Sequence, residues 1–277
     1  LNKGWTLTKL GRQEEALLAY DKAIDIDPYY ENAWVNKGAT LANLGRYEEA
    51  LDAYDKAIEI SSNDAEAWNN KGVALANLEK ITEALYAYDR AIQIDPNYAE
   101  AWSNKCIVLI KIKKYYDAIE ACEKAIEIKP ELAEAWNNKG VSLSELEQFE
   151  YAIAAYKKAV EIKPQYADAW DNKGDALIKL GRYLDALEDF ETAIRINPKH
   201  VRAWINKGIA LSNLGKSKDA LYAYEKSIEI NSKNAWAWHN KAEVLRKLGS
   251  NDDASAAIDL AIEIDSSIAD FWSLKGV

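Results

Sequence analysis

A tryptophan recurs along this chain at a constant interval of 34 residues. We number the places of this period from position 1 at Glu31, which puts Trp34 at position 4. The series continues without insertion or deletion through Trp68, Trp102, Trp136, Trp170, Trp204, Trp238 and Trp272. A fixed period of this length is typical of proteins that stack one small structural unit many times. The period therefore restricts the chain to a stacked-repeat architecture.

The period divides nearly the whole chain into repeats. The complete repeats are 31–64, 65–98, 99–132, 133–166, 167–200, 201–234 and 235–268, with partial repeats at 1–30 and 269–277. No linker or low-complexity segment interrupts them, so the sequence predicts a single elongated domain over residues 1–277. Both ends fall inside a repeat and the chain has no Met, so we expect it to be a fragment of a longer protein.

Each repeat predicts two helices. Apolar or small residues recur at positions 4, 8 and 11 and again at positions 20, 24, 27 and 28, which is helical spacing. Glycine at position 15 predicts the end of the first helix, and proline at position 32 predicts the end of the second. The prediction is an all-α fold, an α-solenoid of antiparallel helix-turn-helix repeats.

Two positions of the repeat vary together. If the two helices fold back about position 16, position 8 faces position 24, and glycine at position 8 goes with an aromatic residue at position 24, as in Gly38 and Tyr54. The repeats without this glycine also lack the aromatic residue, with Ala242 and Ile258 in one. Such compensation is what close packing of the two helices requires.

The two cysteines occupy this same pair of positions. Cys106 stands at position 8 and Cys122 at position 24 of one repeat, so a disulfide is geometrically feasible. Two cysteines in a chain of this length fit a reducing compartment. We therefore favour a reduced pair and expect a cytoplasmic location.

The pattern resembles the tetratricopeptide repeat family along the whole chain. The 34-residue period, Trp at position 4, Gly at 8, Ala at 20, an aromatic residue at 24, Ala at 27 and Pro at 32 all match. Position 20 is alanine in every repeat that contains it: Ala16, Ala50, Ala84, Ala118, Ala152, Ala186, Ala220 and Ala254. The resemblance implies a right-handed superhelix whose first helices line a concave groove, usually a protein- or peptide-binding surface.

Lysine at position 7 departs from the family, which usually has leucine there. It is present in all nine repeats, from Lys3 to Lys275, and position 25 is acidic in seven of eight, Lys157 being the exception. Because positions 7 and 25 lie at equal height, we expect a lysine–carboxylate pair within most hairpins, such as Lys37 with Asp55. A solvated lysine row is the alternative.

Asparagine at position 6 gives the candidate binding residues. Positions 2, 6, 9 and 13 form one stripe of the first helix, which we expect to face the groove. The predicted peptide-binding residues are Asn36, Asn70, Asn104, Asn138, Asn172, Asn206, Asn240 and Trp236. A row of amides can bond successive peptide units of an extended chain. It resembles the asparagine ladder in the tetratricopeptide superhelix of O-linked N-acetylglucosamine transferase. Recent duplication, or bonding to the neighbouring helix, also explains the row.

Net charge and residue spacing argue against several classes of function. A net charge of −10 counts against a nucleic-acid or anionic-membrane partner. His200 and His239 lie a repeat apart, and the two cysteines lack metal spacing. We therefore predict no enzymatic activity, no cofactor and no metal.

The prediction is a scaffold that binds an extended segment of a partner protein in its groove. Two alternatives stay open. One is a structural element that associates with itself end to end, and the other is the substrate-recruiting part of a larger enzyme. Trp236 and Trp5, which stand off position 4, either anchor a ligand or cover an end of the stack.

Overall fold

The computed structural model describes residues 1–275, and these residues form seventeen α-helices and no β-strand. The first eight are α1 Asn2–Lys9, α2 Gln13–Ile26, α3 Glu31–Asn43, α4 Tyr47–Ile60, α5 Ala65–Asn77, α6 Ile81–Ile94, α7 Ala99–Lys111 and α8 Tyr115–Ile128. The others are α9 Ala133–Glu145, α10 Phe149–Ile162, α11 Ala167–Lys179, α12 Tyr183–Ile196, α13 Val201–Asn213, α14 Ser217–Ile230, α15 Ala235–Lys247, α16 Asn251–Ile264 and α17 Ala269–Lys275. The prediction of an all-α fold of consecutive helix-turn-helix repeats is confirmed.

The turn inside each hairpin needs a residue with positive φ. Gly45 has a φ of 76°, in the left-handed region that glycine adopts at little cost. Three repeats place Glu79, Lys113 and Glu147 there instead, with φ between 59° and 61°. A non-glycine residue in this region costs about 1 kcal/mol or more, so the rest of the hairpin holds these turns in shape.

The periodic tryptophan joins each repeat to the turn before it. In Trp34 the indole Nε1–H donates to the Pro28 carbonyl at 2.9 Å. The same bond, six residues back, recurs at 2.9–3.1 Å from Trp68 to Trp272. A buried or half-buried indole needs such an acceptor. The bond therefore explains why the entry to the first helix has one geometry throughout.

The predicted packing of position 8 on position 24 is confirmed. A Cβ added to Gly38 would lie 2.6 Å from Cε1 of Tyr54, and Gly174 has the same relation to Phe190 at 2.5 Å. Tyr54 and Phe190 are fully buried. The aromatic ring therefore takes the space that a side chain on the first helix would need.

The prediction of a reduced cysteine pair is wrong, because the structure joins Cys106 and Cys122 in a disulfide. Both cysteines are completely buried, inside the core formed by Leu109, Ala118 and Ala121. The Gly–Tyr contact of the other hairpins already brings the two backbones close at this height. Two cysteines at these positions consequently meet at bonding distance.

The prediction that position 7 pairs with position 25 of its own hairpin is also wrong. Lys37 lies 2.7 Å from Asp21 of the preceding hairpin. The same pairing across repeats holds for Lys71 with Asp55, Lys105 with Asp89, Lys139 with Glu123, Lys207 with Glu191 and Lys241 with Glu225. Position 7 is turned about 100° from position 8 around the helix, so it faces the preceding hairpin. The side chain of Lys275 lies outside the described residues.

The chain forms two compact units, Leu1–Ser142 and Leu143–Val277, called here unit 1 and unit 2. Within each unit a leucine at position 21 passes into the core of the next repeat. Leu51 packs against the core around Leu75, and Leu221 packs against the core around Ala254. Each hairpin therefore buries its apolar side against its neighbours, as stacked repeats require. A single domain over residues 1–277 stays a prediction.

Candidate functional site

The asparagine row lies on the first helices of the repeats. We call the side of these helices that carries positions 2, 6, 9 and 13 the asparagine face. In unit 1, α5 contacts both α3 and α7, so their faces are adjacent. Three rows cross them: position 6 with Asn36, Asn70 and Asn104, position 9 with Ala39, Val73 and Ile107, and position 2 with Asn32, Glu66 and Glu100. The face is therefore an amide row between an apolar row and an acidic edge.

The amides of unit 1 form a hydrogen-bonded network around Asn69. Asn69 stands at position 5, is only 5% exposed, and accepts a bond from Nδ2 of Asn104 at 2.9 Å. Its own Nδ2 donates to Oδ1 of Asn70 at 3.3 Å. Bonding to the neighbouring repeat is thus present for Asn104. It fixes the side chain while leaving one N–H and an oxygen of its amide available.

The remaining asparagines of unit 1 bond within their own helices. Nδ2 of Asn36 donates to the Asn32 carbonyl at 2.6 Å. Asn138 accepts from Nδ2 of Asn137 at 3.5 Å. Both Asn36 and Asn138 are partly exposed. The amide row is therefore held by several different bonds and not by one repeated contact.

Unit 2 replaces the neutral network with a charged one. Asp171 holds position 5, its carboxylate is completely buried, and it accepts from Nδ2 of Asn206 at 3.0 Å. Arg202 donates through Nε to Asp171 and through Nη2 to Oδ1 of Asn172. Asn206 is itself buried at 8% exposure. It therefore lies behind the exposed surface of the asparagine face and supports it.

Two further residues frame this charged network. Nε2 of His200 lies 3.0 Å from Oδ1 of Asp168. The other ring nitrogen, Nδ1, accepts from the backbone N–H of Ala203 at 3.2 Å and caps α13. The His200 ring is thereby fixed between two repeats.

Trp236 and Asn240 lie on the last full first helix, α15. The Trp236 ring is 46% exposed and makes edge-to-face contacts with His239 and Phe271 at centroid distances of 5.7 and 5.3 Å. Phe271 belongs to α17, so Trp236 both contacts the next helix and keeps an exposed edge. Asn240 is partly exposed. Trp5, at the other end of the chain, is 54% exposed with the Lys9 ammonium 5.5 Å from its ring.

The acidic edge of unit 1 acts on a tyrosine between two repeats. Burial, and then the carboxylates of Glu66, Glu100 and Asp64, raise the pKa of the Tyr98 hydroxyl to about 12. Farther along the edge, the pKa of Glu31 is raised by burial and by the adjacent carboxylate of Asp64. The potential along this edge is therefore negative.

Sequence reasoning missed the residues at position 5. Asn69, Asn137 and Asp171 are buried polar side chains that contact or support the asparagine row. The available signal was a polar residue directly before the repeated asparagine, where other repeats have Val35 and Ile205. Position 5 lies outside the stripe of positions 2, 6, 9 and 13, which is why the stripe did not include it.

The part of the chain that the structure describes contains neither of two further kinds of feature, metal-binding clusters and membrane-spanning helices. No group of three or more His, Cys, Asp or Glu among residues 1–275 has an arrangement that holds a metal ion. None of the helices in this part of the chain combines the length and apolarity that a membrane span needs.

Family models agree with the repeat boundaries. Models of the tetratricopeptide repeat match residues 31–64, 65–98, 99–132, 133–166, 172–235, 155–188 and 223–254, and a TPR repeat model matches residues 4–45. The chain belongs to the tetratricopeptide repeat family. No curated protein sequence matches it.

Several solved structures are similar to the chain. YrrB, described as a TPR protein with an unusual peptide-binding site, is 28% identical with a TM-score of 0.56, over 69% of this chain and 98% of that chain. MamA from Desulfovibrio magneticus RS-1 is 27% identical with a TM-score of 0.55, over 61% and 96%. The Cut9–Hcn1 structure of the APC/C covers 99% of this chain and 54% of that chain, with a TM-score of 0.74. Its 18% identity shows the shared fold alone.

Proposed function

We propose that this tetratricopeptide repeat protein is a non-catalytic scaffold that binds an extended segment of a partner protein along its asparagine face. Membership in a family of protein-interaction repeats supports the general role. The similarity to YrrB, which has a peptide-binding site, supports a peptide as the kind of ligand. The residues of the asparagine face support this face as the place where the peptide binds.

One observation carries the proposal: the amides at position 6 form a row whose spacing is set by the stacking of the repeats. Asn70 and Asn104 in unit 1 are partly exposed, and each keeps hydrogen-bonding capacity beyond its bond to Asn69. A peptide unit offers one N–H and one C=O, and an amide side chain complements both. The row therefore recognises backbone, and the variable rows beside it select side chains.

The network behind the row lowers the cost of binding. Asn69 holds Asn70 and Asn104 in place from a buried position. A side chain that is already ordered loses little rotamer freedom when a ligand arrives. Fixed amides bind an extended chain more tightly than free ones of the same composition.

The test is binding of varied peptides to the full chain and to the Asn70→Ala/Asn104→Ala variant. The matched control is Asn63→Ala/Asn97→Ala, which also removes two asparagine amides but takes them from exposed turns. We expect the first variant to lose binding to unrelated peptides, with helicity unchanged. Equal binding by both variants would place the ligand site elsewhere.

A further inference from the structure

The edge of the asparagine face between α5 and α7 carries negative charge that the chain balances only in part. Glu66 lies in the first turn of α5 and Glu100 in the first turn of α7, both at position 2. Lys129 pairs with Glu100 at 2.9 Å. No basic side chain of the described residues lies within ion-pair distance of Glu66. The part of this edge next to Glu66, called here the corner, therefore attracts a cation from outside the chain.

Hydrogen-bond acceptors converge on the same corner. Tyr98 is the N-cap residue of α7, and the buried Asn69 side chain and the Glu66 carboxylate both act on the pKa of its hydroxyl. Oδ1 of Asn70 accepts a hydrogen bond from the Asn69 side chain. A carboxylate, a hydroxyl and two amide oxygens suit a group with several N–H donors, such as a guanidinium or an ammonium.

The repeat supplies a comparison within the same chain. Three periods later, unit 2 holds the same positions. Glu66, Asn69, Asn70, Tyr98 and Glu100 correspond to Asp168, Asp171, Asn172, His200 and Arg202.

In unit 2 this corner already holds a cation. The Arg202 guanidinium donates to Asp171 and to Asn172, and the buried Asp171 carboxylate depends on that positive charge. In unit 1, Glu100 occupies the position from which Arg202 reaches back. The corner of unit 1 has the acceptors. The residue that corresponds to Arg202 there is the acidic Glu100, so the chain supplies no cation from this position.

We infer that the corner formed by Glu66, Asn69 and Tyr98 receives a lysine or arginine side chain of the bound segment, in the role that Arg202 has in unit 2. This inference rests on the proposed function and adds the chemistry of one ligand residue. Apolar ligand residues next to the cation contact Val73 and the half-exposed Ile107. The partner is then a segment in which a basic residue is flanked by apolar ones.

The test uses pools of peptides of about nine residues, roughly 30 Å long when extended. The pools share flanks randomised among Ala, Val, Leu, Ser and Thr and differ only in a central Arg, Lys, Gln or Glu. Retention by the immobilised full chain is compared with retention by Glu66→Gln. The matched control is Glu83→Gln, which removes the same charge from an exposed site on α6.

We expect the Arg and Lys pools to be retained about fivefold better than the Gln pool at low salt, with the preference shrinking as salt screens it. Glu66→Gln reduces that preference about threefold, and Glu83→Gln leaves it intact. Equal retention of all pools that still requires Asn70 and Asn104 overturns this inference and keeps the proposed function. Equal effects of Glu66→Gln and Glu83→Gln also overturn it. Retention of no pool contradicts both.

Discussion

The Lys173 ammonium lies 2.8 Å from the carboxylate of Asp189 in the same hairpin, whereas the other described position 7 pairs join neighbouring hairpins. The reason lies in the preceding repeat, which has Lys157 in place of the usual acid at position 25. Asp189 stands at position 23, where every other repeat that contains this position has alanine. One substitution has therefore been compensated by another on a different helix.

We predict that Asp189→Ala lowers the free energy of unfolding by about 1–3 kcal/mol, because the half-buried Lys173 loses its carboxylate partner. The preceding repeat offers no replacement, since it has Lys157 at position 25. Combining Asp189→Ala with Lys157→Glu restores the pairing across repeats. The Asp189→Ala substitution also removes Oδ2 of Asp189, a buried oxygen without a hydrogen-bond partner. The double variant should match or exceed the parent protein in urea unfolding. A double variant no more stable than Asp189→Ala would contradict this compensation.

The Gly38–Tyr54 contact predicts a pair of opposing effects. Gly38→Ala puts a Cβ 2.6 Å from the Tyr54 ring and should cost about 1–3 kcal/mol by overpacking. Adding Tyr54→Ile reproduces the natural pair of Ala242 and Ile258 and should recover most of the loss. Thermal melting of the four proteins measures the coupling, and additive losses would show that the two sites are independent.

The disulfide predicts a response to reducing agent. A loop of about 15 residues closed by a disulfide stabilises by about 3 kcal/mol, so reduction of the Cys106–Cys122 bond should lower the melting temperature. The Cys106→Gly/Cys122→Tyr variant restores the pair found in neighbouring repeats. It should melt at the same temperature with and without reductant. An unchanged melting temperature of the parent protein under reduction would contradict the role of the bond.

The buried imidazole of His239 predicts sensitivity to acid. Burial, which outweighs the carboxylates of Glu243 and Asp270, lowers the pKa of His239 below its ordinary value of 6.5. The unfolded chain therefore binds a proton more readily than the folded one, and stability contributed by the neutral ring is lost as pH falls through 6.5. His239→Val, with the residue that Val35 supplies at the same position, should lose less stability between about pH 7.5 and about pH 5. Parallel pH profiles would refute this.

The sequence predicted the helices, the turns and the Gly–Tyr packing because each depends on residues within one repeat. Comparing repeats then works like comparing related proteins. It failed at position 7, since equal height in a hairpin does not determine which neighbour a side chain faces, and Lys37 turned out to contact Asp21. It also missed Asn69 and Asp171, whose roles depend on the packing of adjacent repeats.

The most direct test of the central claim is nuclear magnetic resonance of asparagine side-chain amides in the full chain, with a retained peptide added. We predict that the Asn70 and Asn104 amide resonances shift on titration, while those of the exposed turn residues Asn63 and Asn97 stay in place. Saturable binding with unshifted Asn70 and Asn104 resonances would contradict recognition by the asparagine face.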